Sequence, residues 1–143
     1  MVVERLSALA VVMSCALLGG CGPLGRGELS RGVETLSALA AEGELVADGV
    51  ASDRTRATYT RVQARTLAED AGHESEKLAD ASVERRMLRP RDQAVALAQR
   101  LDDTLGELVT FPGAERTGAR VHDELIAIAD DLDRLAKRLQ DMP

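Results

Sequence analysis

Residues 121–139 read VHDELIAIADDLDRLAKRL, and this segment carries the most regular hydrophobic pattern in the chain. Its aliphatic residues recur at alternating steps of four and three: Val121, Leu125, Ile128, Leu132, Leu135 and Leu139. This spacing places all of them on one face of an α-helix, while Asp130, Asp133 and Lys137 fall on the outer face. The segment therefore predicts an amphipathic helix that buries one face against neighbouring helices.

Three earlier segments carry seams of the same kind. The first begins near Glu28, and its seam is Leu29, Val33, Leu36, Ala40, Gly43, Ala47 and Val50. The second begins near Asp53, a good N-cap residue, and its seam is Ala57, Thr60, Ala64, Leu67, Ala71, Glu74, Leu78 and Ala81. The third begins with Pro90, which a first helical turn tolerates, and its seam is Ala94, Ala98, Leu101, Leu105 and Leu108. Turn residues separate the segments at 49–53, 85–90 and 111–113.

Composition agrees with an all-α fold. The chain has 143 residues and is 45% hydrophobic, yet it contains no Trp, one Tyr and one Phe. Its core must therefore consist of Leu, Val, Ile and Ala, and Leu and Ala are strong helix formers. Four amphipathic helices with short connections predict a small antiparallel bundle over residues 28–143. The Ala-rich seams predict that helices one and two approach closely. The alternative is a longer helical hairpin that completes its core by self-association.

The N-terminus has the pattern of an export signal. Residues 6–18 form a thirteen-residue apolar run, too short to span about 30 Å of hydrocarbon as a helix. The motif Leu18-Gly19-Gly20-Cys21 follows, and it resembles the lipobox of bacterial lipoproteins: an aliphatic residue, two small residues and a cysteine. Cys15 is a weaker candidate because the apolar run continues beyond it and the bulky Met13 precedes it.

The resemblance implies that residues 1–20 are a signal peptide, that cleavage follows Gly20, and that Cys21 becomes the lipidated N-terminus. Residues 21–27 would then be a flexible tether. The protein would be exported and anchored, by palmitate-type acyl chains, to the outer face of the cell membrane or to the outer membrane. Two or more chains give stable anchoring, whereas one gives marginal binding. The alternatives are an ordinary secretory signal cut near Gly20 and an uncleaved anchor.

Few residues of the mature chain suggest chemistry. His73 lies among Glu69, Asp70, Glu74 and Glu76, and His122 precedes two acids. The paired Glu-x-x-His pattern of two-metal helical bundles is missing, so solvated histidines are the favoured interpretation over metal ligands. Glu74 occupies a seam position, where it is either a functional buried acid or a group that pairs with an arginine or drifts to the surface.

Four arginines cluster around Pro90: Arg85, Arg86, Arg89 and Arg91. They could contact anionic lipid headgroups or a partner. A solvated corner between two helices is the plainer interpretation and the one we favour from sequence, because charge runs usually form solvated faces.

These observations favour a non-catalytic protein. The common nucleophile, metalloprotease and phosphate-binding motifs are missing, and a net charge of −6 argues against a nucleic-acid partner. We expect an envelope lipoprotein that serves as a helical interaction or scaffold module, with a protein partner or self-association and no cofactor beyond the lipid on Cys21. The alternative is a small metal- or ligand-binding bundle. A covalent link to the cell wall through a C-terminal lysine is disfavoured, because the chain ends Asp141-Met142-Pro143.

Overall fold

A computed structural model describes residues 23–143, so the predicted signal peptide, Gly20 and Cys21 lie outside the described residues. The described chain is all-α and forms a four-helix bundle, as predicted. The helices are α1 (Arg26–Ala51), α2 (Ala57–Asp80), α3 (Leu88–Thr110) and α4 (Glu115–Asp141), and a 3-10 turn spans Arg85–Met87. Over residues 23–143 the β-type pairing consists of one isolated bridge between Leu24 and Val83.

Successive helices run in opposite directions, up-down-up-down. The start of α1 meets the end of α2, because the backbone N–H of Leu24 donates to the carbonyl of Ser82 at 2.7 Å. The start of α2 lies beside the end of α3, where Gly113 faces Ala57. Helix α4 returns along α1, so that Gly118 faces Ala51.

The core follows the predicted seams. Every seam residue named above for α1, α3 and α4 is buried, and so are the α2 seam residues from Thr60 to Leu78. The two outer α2 positions differ: Ala57 is exposed in the first turn, and Ala81 follows the last helical residue. A second row is buried as well, including Val46, Ala68, Ser75, Leu97 and Thr104, since each helix packs on two neighbours.

Helices one and two do approach closely at Gly32, where an added Cβ would lie 3.2 Å from Cδ2 of Leu78, but the most extensive packing joins other pairs of helices. Helix α1 packs most extensively on α4, and α2 on α3. Glycine allows the α1–α4 approach. A Cβ atom on Gly118 would lie 2.6 Å from the backbone nitrogen of Ala51, and one on Gly43 would lie 2.8 Å from Cδ2 of Leu105 on α3 and 3.1 Å from Cδ1 of Leu125 on α4.

The predicted helix boundaries need three corrections. Helix α1 begins at Arg26 rather than near Glu28, because the carboxylate of Glu28 accepts the backbone N–H of Gly25 at 3.0 Å and caps the first turn. The predicted tether of residues 21–27 is therefore shorter.

Asp53 ends α1 instead of starting α2. Its φ is +49°, and the N–H groups of Asp53 and Arg54 donate to the carbonyls of Val50 and Gly49, at 3.1 and 2.8 Å. This is the Schellman arrangement of a helix C-terminus, with aspartate in the left-handed position. Helix α2 begins four residues later.

Pro90 is the third residue of α3 rather than the first, and α2 ends at Asp80, before the arginine cluster. A proline fits here because the first-turn N–H groups have no acceptor within the helix. The 3-10 turn ahead of it places Met87 in the core, where it is 3% exposed.

The α1–α4 contact gives a test of this packing. We expect Gly118→Ala to lower the free energy of unfolding by about 1–3 kcal/mol, because the added methyl group would meet the α1 backbone. Gly106→Ala is the control, since its Cβ would have no neighbour within 4 Å, and it should raise stability by up to about 1 kcal/mol through helix propensity. Urea unfolding measures both; equal effects of the two substitutions would contradict the close approach.

Candidate functional site

The two ends of the bundle differ, and we name them by one residue each. The Leu24 end comprises the starts of α1 and α3, the ends of α2 and α4, and the 81–87 connection. The Phe111 end comprises the 52–56 and 111–114 connections with the helix ends that they join. The chain leads toward Cys21 at the Leu24 end, because Leu24 is hydrogen-bonded to the backbone of Ser82.

The arginine cluster lies at the Leu24 end, and its members have different surroundings. Arg91 is mostly enclosed: it donates to the carbonyls of Ala79 and Ala81, at 3.3 and 3.0 Å, and so caps the end of α2. Arg86 pairs with Glu84 at 2.9 Å and donates to the carbonyl of Pro143 at 3.0 Å. These two arginines therefore have structural roles within the bundle.

Arg85 and Arg89 are exposed, and within residues 23–143 neither makes an ion pair or a side-chain hydrogen bond. Leu88 lies between them in sequence at the first position of α3, and it is 40% exposed. Leu88 could not be singled out from the sequence, because the residue falls outside the α3 seam. Its position beside two unpaired arginines makes this corner amphipathic.

The Phe111 end carries the aromatic residues. The only two in the chain are Tyr59, 53% exposed, and Phe111, 55% exposed. Val62, one turn after Tyr59, is 58% exposed. Since Gly113 lies beside Ala57 and Val109 lines the same groove as Arg65, antiparallel register places Phe111 level with Tyr59 and Val62. The scarcity of aromatics was evident from sequence, but their exposure was not.

The two histidines lie on different helices. His73 is exposed on α2 and lines a shallow groove between α2 and α3, together with Glu69, Glu76 and Asp102. Burial raises the pKa of the Asp102 carboxyl, and neighbouring Asp103 adds to the shift. His122 is half-buried on α4, with Nδ1 3.8 Å from Asp123. Over residues 23–143, His, Cys, Asp and Glu side chains form no group of three or more that could hold a metal ion.

Glu74 pairs with Lys77, not with an arginine. It is buried on α2, and both of its carboxylate oxygens accept from Nζ of Lys77 at 3.2 Å. Space for this carboxylate comes from Gly32 on α1, where an added Cβ would lie 2.8 Å from Oε1 of Glu74. The lysine reaches this seam position from solvent and neutralises the acid there.

A network of ion pairs joins α3 to α4. The guanidinium of Arg100 donates to Glu124 at 2.6 Å and to Asp131 at 3.2 Å. The bond from Arg100 lowers the pKa of the Glu124 carboxyl, and the bond from Arg134 is the main cause of the lowered pKa of Asp131. The hydrogen bond to Glu124 likewise raises the pKa of Arg100. All three partners have side chains about one-third exposed or more, so the network is a surface clasp between helices.

Comparison with known protein families, with curated proteins and with solved structures found no significant match to this chain. Of the helices that the structure describes over residues 23–143, none is both long and apolar enough to cross a membrane.

The Arg100 network yields a prediction about pH. Arg100→Gln should lower the free energy of unfolding at pH 7 by at most about 1 kcal/mol, as for exposed pairs. A carboxylate with a lowered folded pKa stabilises the fold above its unfolded pKa and loses that contribution as the pH falls through the folded value. The difference between wild type and variant should therefore shrink below pH ~4.3, the ordinary glutamate pKa.

Urea unfolding between pH 3 and pH 7 measures this difference. Arg61→Gln removes the same charge from an exposed α2 position and is the matched control. A deficit in Arg100→Gln that stayed constant across this range would assign the contribution to side-chain packing instead.

Proposed function

We propose that this protein is an exported, lipid-anchored envelope protein whose helical bundle serves as an interaction module. Cys21 carries the acyl chains after cleavage at Gly20, and the bundle stands on the outer face of the cell membrane or on the outer membrane. The proposal includes no catalytic activity and no cofactor beyond the lipid. It assigns a membrane contact through the anchor and a protein partner, or a second copy of the chain, and no nucleic acid.

The proposal is supported by one observation, which is that the two ends of the bundle carry different residues. The chain approaches Cys21 at the Leu24 end, while Tyr59, Val62 and Phe111 are exposed at the opposite end. Aromatic side chains are the largest apolar groups available to a core and are enriched in protein interfaces. This chain has two aromatic residues, and both are more than half exposed, so neither contributes much apolar burial to the core. Their exposure supports a binding role for the Phe111 end.

The anchoring part is tested by intact mass. The chain is purified from membranes of its own host, beside a Cys21→Ser variant, and both masses are measured. We expect the wild-type mass to equal residues 21–143 plus acyl groups, because the lipobox resemblance places cleavage before Cys21. The variant should lack the acyl mass. An unmodified wild-type chain would remove the anchor and leave a freely secreted bundle.

The partner surface is tested by photocrosslinking in intact cells. A benzoylphenylalanine placed at Phe111 or at Tyr59 should crosslink to one discrete protein, because both positions lie at the proposed interface. The same group at Leu45 is the control, since Leu45 is 75% exposed on α1 and lies outside the aromatic surface. A crosslinked dimer of this chain would assign the surface to self-association. Equal, diffuse crosslinking from all three positions would contradict a specific interface.

The second candidate function is a metal- or ligand-binding lipoprotein. The observation that favours it is the groove between α2 and α3, which is lined by His73, Glu69, Glu76 and Asp102. Within residues 23–143 these side chains are not assembled into a metal-binding group, so a bound metal would have to draw them together. Metal analysis of the protein purified from membranes tests it, with His73→Ala and His122→Ala as variants. Stoichiometric metal that His73→Ala removes would favour this function over the interaction module.

A further inference from the structure

We propose that the Leu24 end of the bundle rests on the membrane surface, with Arg85 and Arg89 contacting anionic lipid headgroups and Leu88 entering the interface. This inference deepens the proposed function, because the anchor is what brings this end to a bilayer. It assigns an orientation to the bundle and a class of ligand, the phosphate groups of anionic lipids, to two arginines.

Distance is the first argument. Leu24 is three residues from Cys21, and at ~3.4 Å per extended residue that chain reaches about 10 Å. Leu24 is hydrogen-bonded to Ser82, so the bundle holds the chain from residue 24 and not only from residue 28. A lipid on Cys21 therefore holds the 81–87 connection within about one headgroup layer of the membrane, because Ser82 belongs to that connection.

Charge is the second argument. Arg85 and Arg89 are four residues apart and exposed, and within the described chain no carboxylate pairs with either. The acids nearest to them in sequence are already engaged: Glu84 pairs with Arg86, and Asp92 with Arg91. Three further exposed acids lie at this end: Glu28 caps the start of α1 through the N–H of Gly25, and Asp80 and Asp141 lie at the ends of α2 and α4. The two free guanidinium groups are thus available to lipid phosphates, which match their forked donors.

Leu88 is the third argument. A large aliphatic side chain at the start of α3, 40% exposed and flanked by arginines, is the arrangement of an interfacial membrane contact. The other large exposed apolar residues, Leu45, Tyr59, Val62, Phe111 and Ile126, lie elsewhere on the bundle. An apolar residue and two unpaired cations at the end that leads to Cys21 fit a bilayer better than a soluble partner.

Fluorescence quenching tests the orientation. The mature chain has no cysteine other than Cys21, so a single introduced thiol can be labelled. Ser82→Cys and Ser52→Cys form a matched pair, because both serines are exposed and they lie at opposite ends of the bundle. The membrane-purified lipoprotein is reconstituted into vesicles of phosphatidylcholine, with or without the anionic lipid phosphatidylglycerol, and nitroxide-headgroup lipid is the quencher.

We expect the label at position 82 to be quenched in both kinds of vesicle, because the lipid on Cys21 holds it near the surface, and to be quenched more strongly when phosphatidylglycerol is present. The label at position 52 should be quenched weakly in both. Arg85→Gln/Arg89→Gln should return the position-82 signal to its phosphatidylcholine level, whereas Arg61→Gln/Arg116→Gln, an equal loss of charge from exposed sites on other parts of the bundle, should leave it unchanged. Leu88→Ser should reduce it too. Equal quenching at both ends, or quenching that ignores the lipid charge, would overturn the proposal.

Failure of the anchor is distinguishable from failure of this contact. If the intact mass shows no acyl groups, the unmodified chain is sedimented with the same vesicles. Binding to phosphatidylglycerol vesicles that falls roughly 25-fold in Arg85→Gln/Arg89→Gln, about fivefold per arginine, would keep the surface assignment without the anchor. Unchanged binding in that variant would refute it. If inorganic phosphate displaced the chain from the vesicles and another salt at the same ionic strength did not, the two arginines would be assigned to a free anion.

Discussion

The structure depends chiefly on the burial of aliphatic side chains. All of the larger apolar core residues are Leu, Ile, Val or Met, with alanine filling the remainder, and residues 23–143 contain no cysteine that could add a covalent link. Aliphatic burial contributes roughly 25 cal/mol per Å² and has no directional preference. In a core of this kind the shapes of the side chains select one arrangement of the helices. The positions at which helices approach most closely therefore contribute most to that selection. Gly118 against Ala51, and Gly43 between Leu105 and Leu125, are such positions.

Much of this fold can be predicted from the local periodicity of apolar residues. The alternating steps of four and three in α1, α3 and α4 identified buried residues correctly along their whole length, because a stripe of that spacing has one way to face a core. The burial of the second row, which includes Leu97 and Thr104, was not predicted, because a seam of two positions per heptad describes a helix with one neighbour. The helices of this bundle each have two.

Other features depend on contacts distant in sequence and could not be predicted from local patterns. That α1 pairs most extensively with α4 is a property of the closed bundle, since the two helices lie at opposite ends of the chain. Asp53 looked like a helix N-cap because aspartate favours both caps and left-handed turns. Among the cluster residues, only the structure separates Arg91, which caps α2, from Arg85 and Arg89, which pair with no carboxylate between residues 23 and 143. The predicted anchor at Cys21 remains a prediction from the lipobox resemblance.

The core contains no aromatic side chain, and the position of the two aromatic residues outside it bears on the proposed function. A bundle that must be held by Leu and Ala would gain most from burying an aromatic ring, because each ring removes 150–250 Å² from water. The described chain instead leaves Tyr59 and Phe111 more than half exposed at one end. Single exposed apolar residues are ordinary on protein surfaces. Both aromatic residues of the chain lie exposed at one end of the bundle, as does Val62, and folding alone does not require this arrangement. A binding partner at that end would supply the missing burial.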